Sequence, residues 1–458
     1  MNRNLTEGPI LKNLMLFALP MMAGNLLQQI YNIADTMIVG RFVSPDALAA
    51  VGSAYTLMTF LTSLIIGLCM GSGAMFSKSF GAGKTEEMKQ EICLSFCFIG
   101  VVTVLIYLVV LPGTDVILYL LSVPEEIYGL MRSYVKIIFI GIGFTFLYNF
   151  FAYLLRSIGN SVVPLYFLAI SSVMNIVLDL YFVIALRWGV SGAAAATVIS
   201  QCFAGVGIAG YVLLKNTELL RLHERPEWNR LSSIIKNDVL TGLQQSVMNL
   251  GILMIQGLVN SFGTTIMAAF AAAVKIDTLA YMPAQEFGNA YSLFISQNFG
   301  AQKEERIHKG TKIAIGVSAL FCIVVSTLIW ICSPQLMKLF VHAKETSIIL
   351  EGVRYLRIEG SFYFGIGILF LLYGYYRGIQ RAEMSLVLTI ISLGTRVLLS
   401  YLLAPNTPLG VNAIWWSIPI GWILADFTGL FYYAKQNFPR IFRCFRVLWV
   451  HIYIFRRG

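Results

Sequence analysis

The chain has 458 residues, of which 57% are hydrophobic and only 12% are charged, and its mean hydropathy is +0.75. Soluble domains carry about 25% charged residues, so this composition excludes an ordinary soluble protein. The formal net charge of +10 then indicates contact with anionic lipid headgroups rather than with nucleic acid.

Twelve apolar stretches are each long enough to form a membrane-spanning helix. In chain order they cover about 13–39, 46–76, 91–112, 129–155, 162–186 and 191–214, then 239–262, 267–297, 313–333, 349–376, 384–404 and 411–434. We therefore predict an all-α polytopic membrane protein with an N-lobe at 1–214, a cytoplasmic linker at 215–238 and a C-lobe at 239–436. The basic residues 437–458 are expected to form an amphipathic tail on the inner membrane surface, or else a disordered end.

The two halves of the chain repeat each other in sequence. Residues 79–86 (SFGAGKTE) match residues 298–305 (NFGAQKEE) at an offset of 219. Six spans per repeat bring the second half into the membrane from the same side as the first. The sequence thus predicts two parallel six-helix repeats around a central cleft.

The distribution of basic residues predicts the orientation in the membrane. If both termini are cytoplasmic, the inner tails and loops hold 23 of the 33 Lys and Arg residues, and the outer side holds eight. We therefore expect a multi-pass protein of the cell (inner or plasma) membrane with both termini in the cytoplasm.

Six oxygen-bearing side chains in the first half are candidates for an ion site. Ionisable residues inside spans are costly and mark function by default, which singles out Asp35 in the first span and Asp179 in the fifth. Counting residues from the span ends places all six at similar depth. The set is Tyr31, Asp35, Tyr134, Asn175, Asp179 and Thr197. Such a cluster can hold Na⁺ or share a proton, whereas the alternative is that each side chain satisfies a neighbouring helix.

The second half carries a different set of charged residues. Later in the repeat the offset is 221, and there Arg396 stands where Asn175 stands in the first half. The C-lobe charged network comprises Lys275, Asp277, Glu359, Arg396 and Asp426. We expect an internal ion pair among Lys275, Asp277 and Arg396 with a structural or gating role, and a contact with substrate is the alternative.

The two repeats, together with Pro20, Asp35, Asn175-x-x-x-Asp179 and Thr197, resemble the MATE family of multidrug and toxic compound extrusion transporters. The resemblance covers about 12–437, and the first-lobe spacing is similar to that of DinF-type members. NorM-type members carry an acidic residue in the seventh span, but residues 239–262 contain none. The resemblance implies efflux of bulky, often cationic organic compounds driven by H⁺ or Na⁺, with Pro20 as a hinge.

The sequence as a whole predicts a secondary active multidrug antiporter that works by alternating access. It is expected to be a monomer that contacts small organic substrates and membrane lipids but no nucleic acid. No cofactor and no catalytic residue are expected, and the only metal site would be one for Na⁺. One alternative is a flippase for a lipid-linked saccharide, which often carries extra helices and a more cationic cavity. A membrane-embedded enzyme is the other alternative, and it would need a His, Cys or metal constellation.

Overall fold

A computed structural model describes residues 4–120, 123–221 and 226–437, and these residues form helices and short connections without a strand. The first half contains α1 (Ile10–Phe42), α2 (Pro45–Gly81), α3 (Thr85–Leu120), α4 (Glu125–Ile140), α5 (Ile142–Ser157), α6 (Val162–Asp179) and α7 (Gly189–Lys215). A short helix, α8 (Thr217–Leu220), lies between the halves. The second half contains α9 (Asn229–Asn260), α10 (Thr264–Gly300), α11 (Glu304–Lys338), α12 (Thr346–Gly360), α13 (Tyr363–Gly378), α14 (Ala382–Leu403) and α15 (Val411–Asn437).

Most of the predicted spans are present as long apolar helices. Nine helices of the described residues are long and apolar enough to cross a membrane, and two bent helix pairs raise the number to eleven. The predicted span that this count leaves out is 239–262. It forms α9, which is more polar because it carries several Gln and Asn side chains. It begins at Asn229 rather than near 239, so the end of the predicted linker is helical. Apart from Asn437, the predicted tail lies outside the described residues.

Two predicted spans are not single straight helices, which corrects the expectation for 129–155 and 349–376. The helices α4 and α5 meet at 42°, and α12 and α13 meet at 52°. Gly141 separates the first pair and lies against α7, where an added Cβ would be 2.5 Å from Oε1 of Gln201. The break at Gly141 therefore lets the α4–α5 pair approach α7 closely. This contact cannot be read from the local sequence.

Each half of the chain has its own hydrophobic core, and α1 contributes to both. The first core contains Ile38 and Val39 from the end of α1. The second core, in which Phe270 stacks on Trp415, contains four residues of α1: Leu14, Phe17, Ala18 and Met21. The beginning of α1 therefore packs with the second lobe and its end packs with the first.

The lobes touch where α1 and α9 begin and α2 and α10 end. Gly67 of α2 faces Gly242 of α9, and an added Cβ would be 2.6 Å from the Gly242 Cα. The ends of α2 and α10 are closer still, because a Cβ at Gly81 would lie 2.0 Å from the Gln297 carbonyl oxygen. We call this contact of α2 with α9 and α10 the terminal seam. It is closed by backbone-to-backbone packing that only glycine permits.

Candidate cation site

Two buried carboxylates lie at the same depth in the first lobe. Asp35 is 7% exposed and precedes the end of α1 by seven residues. Asp179 is fully buried, ends α6 and precedes the end of the following π-helical turn, Leu180–Ala185, by six residues. Both side chains are thus roughly 10 Å from the same end of the lobe. They are close enough to interact electrostatically.

The π-helical turn fixes the end of α6 against α7. Within it, the Phe182 ring stacks on Trp188 at a centroid distance of 5.0 Å. Gly192 of α7 packs directly on Phe182, where a Cβ would be 3.1 Å away. Single π-helical turns are frequent at functional sites. Here the turn holds Asp179 beside α7.

Four oxygens of this cluster lack a hydrogen-bond donor among the described residues. The Asn175 amide nitrogen donates to the Thr197 hydroxyl at 3.3 Å. Among the described atoms, however, no donor reaches Oδ1 of Asp35, Oδ1 of Asn175 or either carboxylate oxygen of Asp179. Buried oxygens are costly when they are left without a partner. Four such oxygens in one cluster are suited to bind a cation or a proton.

Two tyrosines complete the predicted set. Tyr134 of α4 is buried and interacts electrostatically with both Asp35 and Asp179. Tyr31 is half-buried, one turn before Asp35, and interacts with that carboxylate. The structure therefore brings all six predicted side chains into one cluster from α1, α4, α6 and α7. Its role in ion binding stays a prediction.

Two polar residues of α7 lie beside Thr197 but were not among the predicted site residues. Ser200 and Gln201 follow Thr197 by three and four residues and therefore share its helix face. The buried Ser200 hydroxyl and the Gln201 side-chain oxygen have no hydrogen-bond partner among the described residues. Their spacing from Thr197 is the signal that could have identified them.

No conventional metal centre accompanies this cluster. Within the described residues, no group of three or more His, Cys, Asp or Glu side chains is arranged to hold a metal ion. An ion bound here would therefore rely on two carboxylates together with neutral amide, hydroxyl and phenol oxygens.

Pro20 lies where α1 changes its packing partner. The helix is continuous from Ile10 to Phe42. Proline has no amide hydrogen, so the hydrogen bond to the residue four positions earlier is missing. Met21 belongs to the second-lobe core, whereas Gly24 already packs on Leu168 of α6 in the first lobe. This position suits a hinge, and the hinge role stays a prediction.

The charged residues of the second lobe form a smaller group than expected. Tyr363 donates a hydrogen bond to Asp277 at 2.6 Å, and Glu359 lies within hydrogen-bonding reach of the same carboxyl. Arg396 interacts with both acids electrostatically but forms no ion pair within 4 Å among the described residues. The expected contact ion pair is therefore absent, because Tyr363 and Glu359 already satisfy Asp277.

Lys275 and Asp426 lie apart from that group. Lys275 is exposed on the surface of α10, although it is only two residues from Asp277. Asp426 is buried on α15 against Gly365 of α13. The structure thus joins Asp277, Glu359 and Arg396 and leaves the other two residues outside.

Known proteins match the chain over almost its full length. The family model described as MatE matches residues 20–181 and 241–402, one match in each half. The probable multidrug resistance protein YpnP of Bacillus subtilis is 31% identical over 392 residues, which are 84% of this chain and 86% of that protein. The multidrug export protein MepA of Staphylococcus haemolyticus is 25% identical over 438 residues, with 94% and 95% covered.

Solved structures show the same fold. One is described as the outward-facing conformation of a multidrug resistance MATE family transporter of the MOP superfamily. It matches with a TM-score of 0.89 at 24% identity and covers 94% of this chain and 97% of that chain. At this identity the likeness supports the fold alone.

Proposed function

Because the chain belongs to the MatE family, we propose that it exports organic compounds across the cell membrane in exchange for an inward coupling ion. Members of this family are transporters rather than enzymes. Two relatives are named for multidrug resistance and multidrug export, which supports drug-like organic compounds as substrates. The observation that carries the exchange is the buried Asp35–Asp179 pair, of whose four carboxylate oxygens three lack a hydrogen-bond donor among the described residues.

The coupling ion is H⁺ or Na⁺. The cluster offers only oxygen ligands, which suits Na⁺. Two interacting carboxylates can also take up one proton, because two close negative charges are unfavourable in a buried site. Either ion would neutralise the same anionic site, so both compete with a cationic substrate for it.

Alternating access would open and close the terminal seam. With both termini in the cytoplasm, the seam is the cytoplasmic gate, and its closure gives an outward-facing conformation. The carboxylates Asp35 and Asp179 lie toward the other end of the lobe, where an ion can reach them from outside. Ion binding changes the charge of the cluster and thereby favours one of the two conformations. Pro20 would let the beginning of α1 move with the second lobe.

Transport in proteoliposomes tests this function. Efflux of a monocationic dye is measured under a pH gradient alone, a Na⁺ gradient alone, and neither. We expect at least one gradient to accelerate efflux, and Asp35→Asn or Asp179→Asn to abolish the acceleration. Asp46→Asn is the matched control, because Asp46 is exposed at the start of α2. Efflux that ignores both gradients but requires ATP would refute the proposal.

A further inference from the structure

A third buried carboxylate lies in the terminal seam, away from the first-lobe cluster. Asp238 of α9 is fully buried. Its Oδ2 accepts a hydrogen bond from the Ser72 hydroxyl of α2 at 2.6 Å, so this bond joins the two lobes. The other oxygen, Oδ1, has no hydrogen-bond partner, and no ion pair of Asp238 occurs among the described residues.

The backbone of α2 packs directly on this side chain. A Cβ at Gly71 would lie 2.8 Å from both the Cα and Oδ1 of Asp238. The neighbouring Asn237 side chain donates to the Gly71 carbonyl oxygen at 3.0 Å. This close approach leaves no space for water between Oδ1 and α2. Asp238 can therefore reach water only when the seam opens.

The titratable groups around Asp238 do not supply a compensating positive charge. Helices α2 and α3 meet this part of α9 in a small apolar cluster. From α3 the facing group is Glu91, itself buried and bonded to the Ser79 hydroxyl at 2.8 Å. From α2 it is the thiol of Cys69. Neither the acid nor the thiol supplies a positive charge to Asp238.

The nearby basic residues serve other partners. Lys78 and Arg230 interact with Glu91, and Arg230 also bonds to Glu227 at 3.0 Å. The buried Arg377 of α13, which contacts Met70, donates hydrogen bonds to Ser292 and Asn289. Lys236, on the same helix as Asp238, is exposed. Closing the seam around an ionised Asp238 would therefore bury an unpaired charge, which is strongly unfavourable.

We propose that Asp238 is a proton-binding site of the terminal seam. Its carboxyl group carries a proton while the seam is closed and transfers that proton to water when α2 and α9 separate. No other bond changes in this step. Acid therefore favours the closed seam, and alkali favours the open one. The site is separate from Asp35 and Asp179, and it rests on the proposed function only in requiring that the lobes separate here.

A native thiol beside Asp238 provides the test. Cys69 is fully buried in the closed seam. Because it lies on the α2 face that meets α9, we expect it to become accessible when the seam opens. The other six cysteines are replaced by serine: Cys93, Cys97, Cys202, Cys322, Cys332 and Cys444. Labelling of the full chain with N-ethylmaleimide is then measured between pH 6 and 8. The comparison is with Asp238→Asn, which keeps an oxygen for Ser72 but cannot ionise.

The labelling rate of the protein with Asp238 is divided by that of Asp238→Asn. This ratio isolates the effect of Asp238, because ionisation of the Cys69 thiol contributes to both rates. We expect this ratio to rise with pH by up to tenfold per pH unit, the limit for one linked proton. A ratio that stays constant with pH overturns the proposal.

Three further variants separate the ionisation of Asp238 from a general loosening of the seam. Gly71→Ala should speed labelling at every pH by blocking closure, and it should weaken the pH dependence because Asp238 then stays in contact with water. Ser72→Ala should retain the pH dependence, since the carboxyl remains. If Asp238→Asn misfolds, Asp238→Ser, which also cannot ionise, replaces it as the comparison. Loss of pH dependence in Ser72→Ala contradicts the proposal, as does an equal loss in Asp46→Asn. Gradient-driven efflux by the same proteins tests the proposed function independently.

Discussion

The crossing of α2 and α10 gives the sharpest prediction about the terminal seam. A Cβ at Gly300 would lie 1.9 Å from the Lys78 carbonyl oxygen, and one at Gly81 would lie 2.0 Å from that of Gln297. Ordinary contact begins at 3.4 Å, so an alanine at either position needs about 1.4–1.5 Å of separation. Because the obstacle is backbone, a side-chain rotation cannot relieve it.

The expected cost follows from that overlap. Overpacking a well-packed contact costs about 1–3 kcal/mol, and a backbone obstacle places Gly300→Ala near the upper end. About 3 kcal/mol corresponds to roughly a hundredfold fall in the ratio of closed to open seam. Gly81→Ala should act similarly, and the double variant should cost less than the sum because both alanines push apart the same pair of helices.

Labelling of Cys69 measures this change, since the thiol is buried only in the closed seam. Gly316→Ala is the matched control, because a Cβ there meets nothing within 4 Å. We expect Gly300→Ala to be labelled much faster than the parent and Gly316→Ala to be unchanged. Equal rates for the two alanine variants would refute the idea that glycine packing closes the seam.

Two further predictions concern buried hydrogen bonds. Tyr363→Phe removes the hydrogen-bond donor to Asp277 and should lower the free energy of unfolding by about 1–3 kcal/mol. Its melting temperature should therefore be lower than that of the control Tyr119→Phe, whose ring is 80% exposed. Identical melting temperatures would contradict it. Gln297→Leu removes the hydrogen bond to the Ser157 carbonyl oxygen at 2.7 Å and the one that the Leu5 amide donates to Gln297. Labelling of Cys69 should therefore accelerate. An unchanged rate would show that these bonds do not hold the seam closed.

Features that depend on local sequence could be predicted. Long apolar runs identified the spans, because each helix in lipid must satisfy its own backbone. Depth along a rigid helix can be counted at 1.5 Å per residue, so Asp35 and Asp179 were expected at one level, as the structure places them. The family was also identified from these residues and is confirmed by the matches in both halves.

Features that depend on contacts between distant helices could not be predicted. The repeat of 79–86 in 298–305 was visible, but that Gly81 and Gly300 pack on each other's helices depends on how the lobes pair. Asp238 was assigned to the linker, and its burial results from the approach of Gly71. The expected ion pair of Arg396 failed for the same reason, since the partner of Asp277 is a tyrosine on another helix.

The central claim is that Asp35 and Asp179 bind the coupling ion in competition with substrate. Its most direct test is the affinity of the purified protein for a fluorescent cationic substrate, measured while Na⁺ is raised at fixed pH and while pH is lowered at fixed Na⁺. We predict that at least one titration weakens substrate binding to the parent protein and that Asp179→Asn removes this response. A parent protein indifferent to both ions, or a variant that responds as the parent does, would contradict the claim.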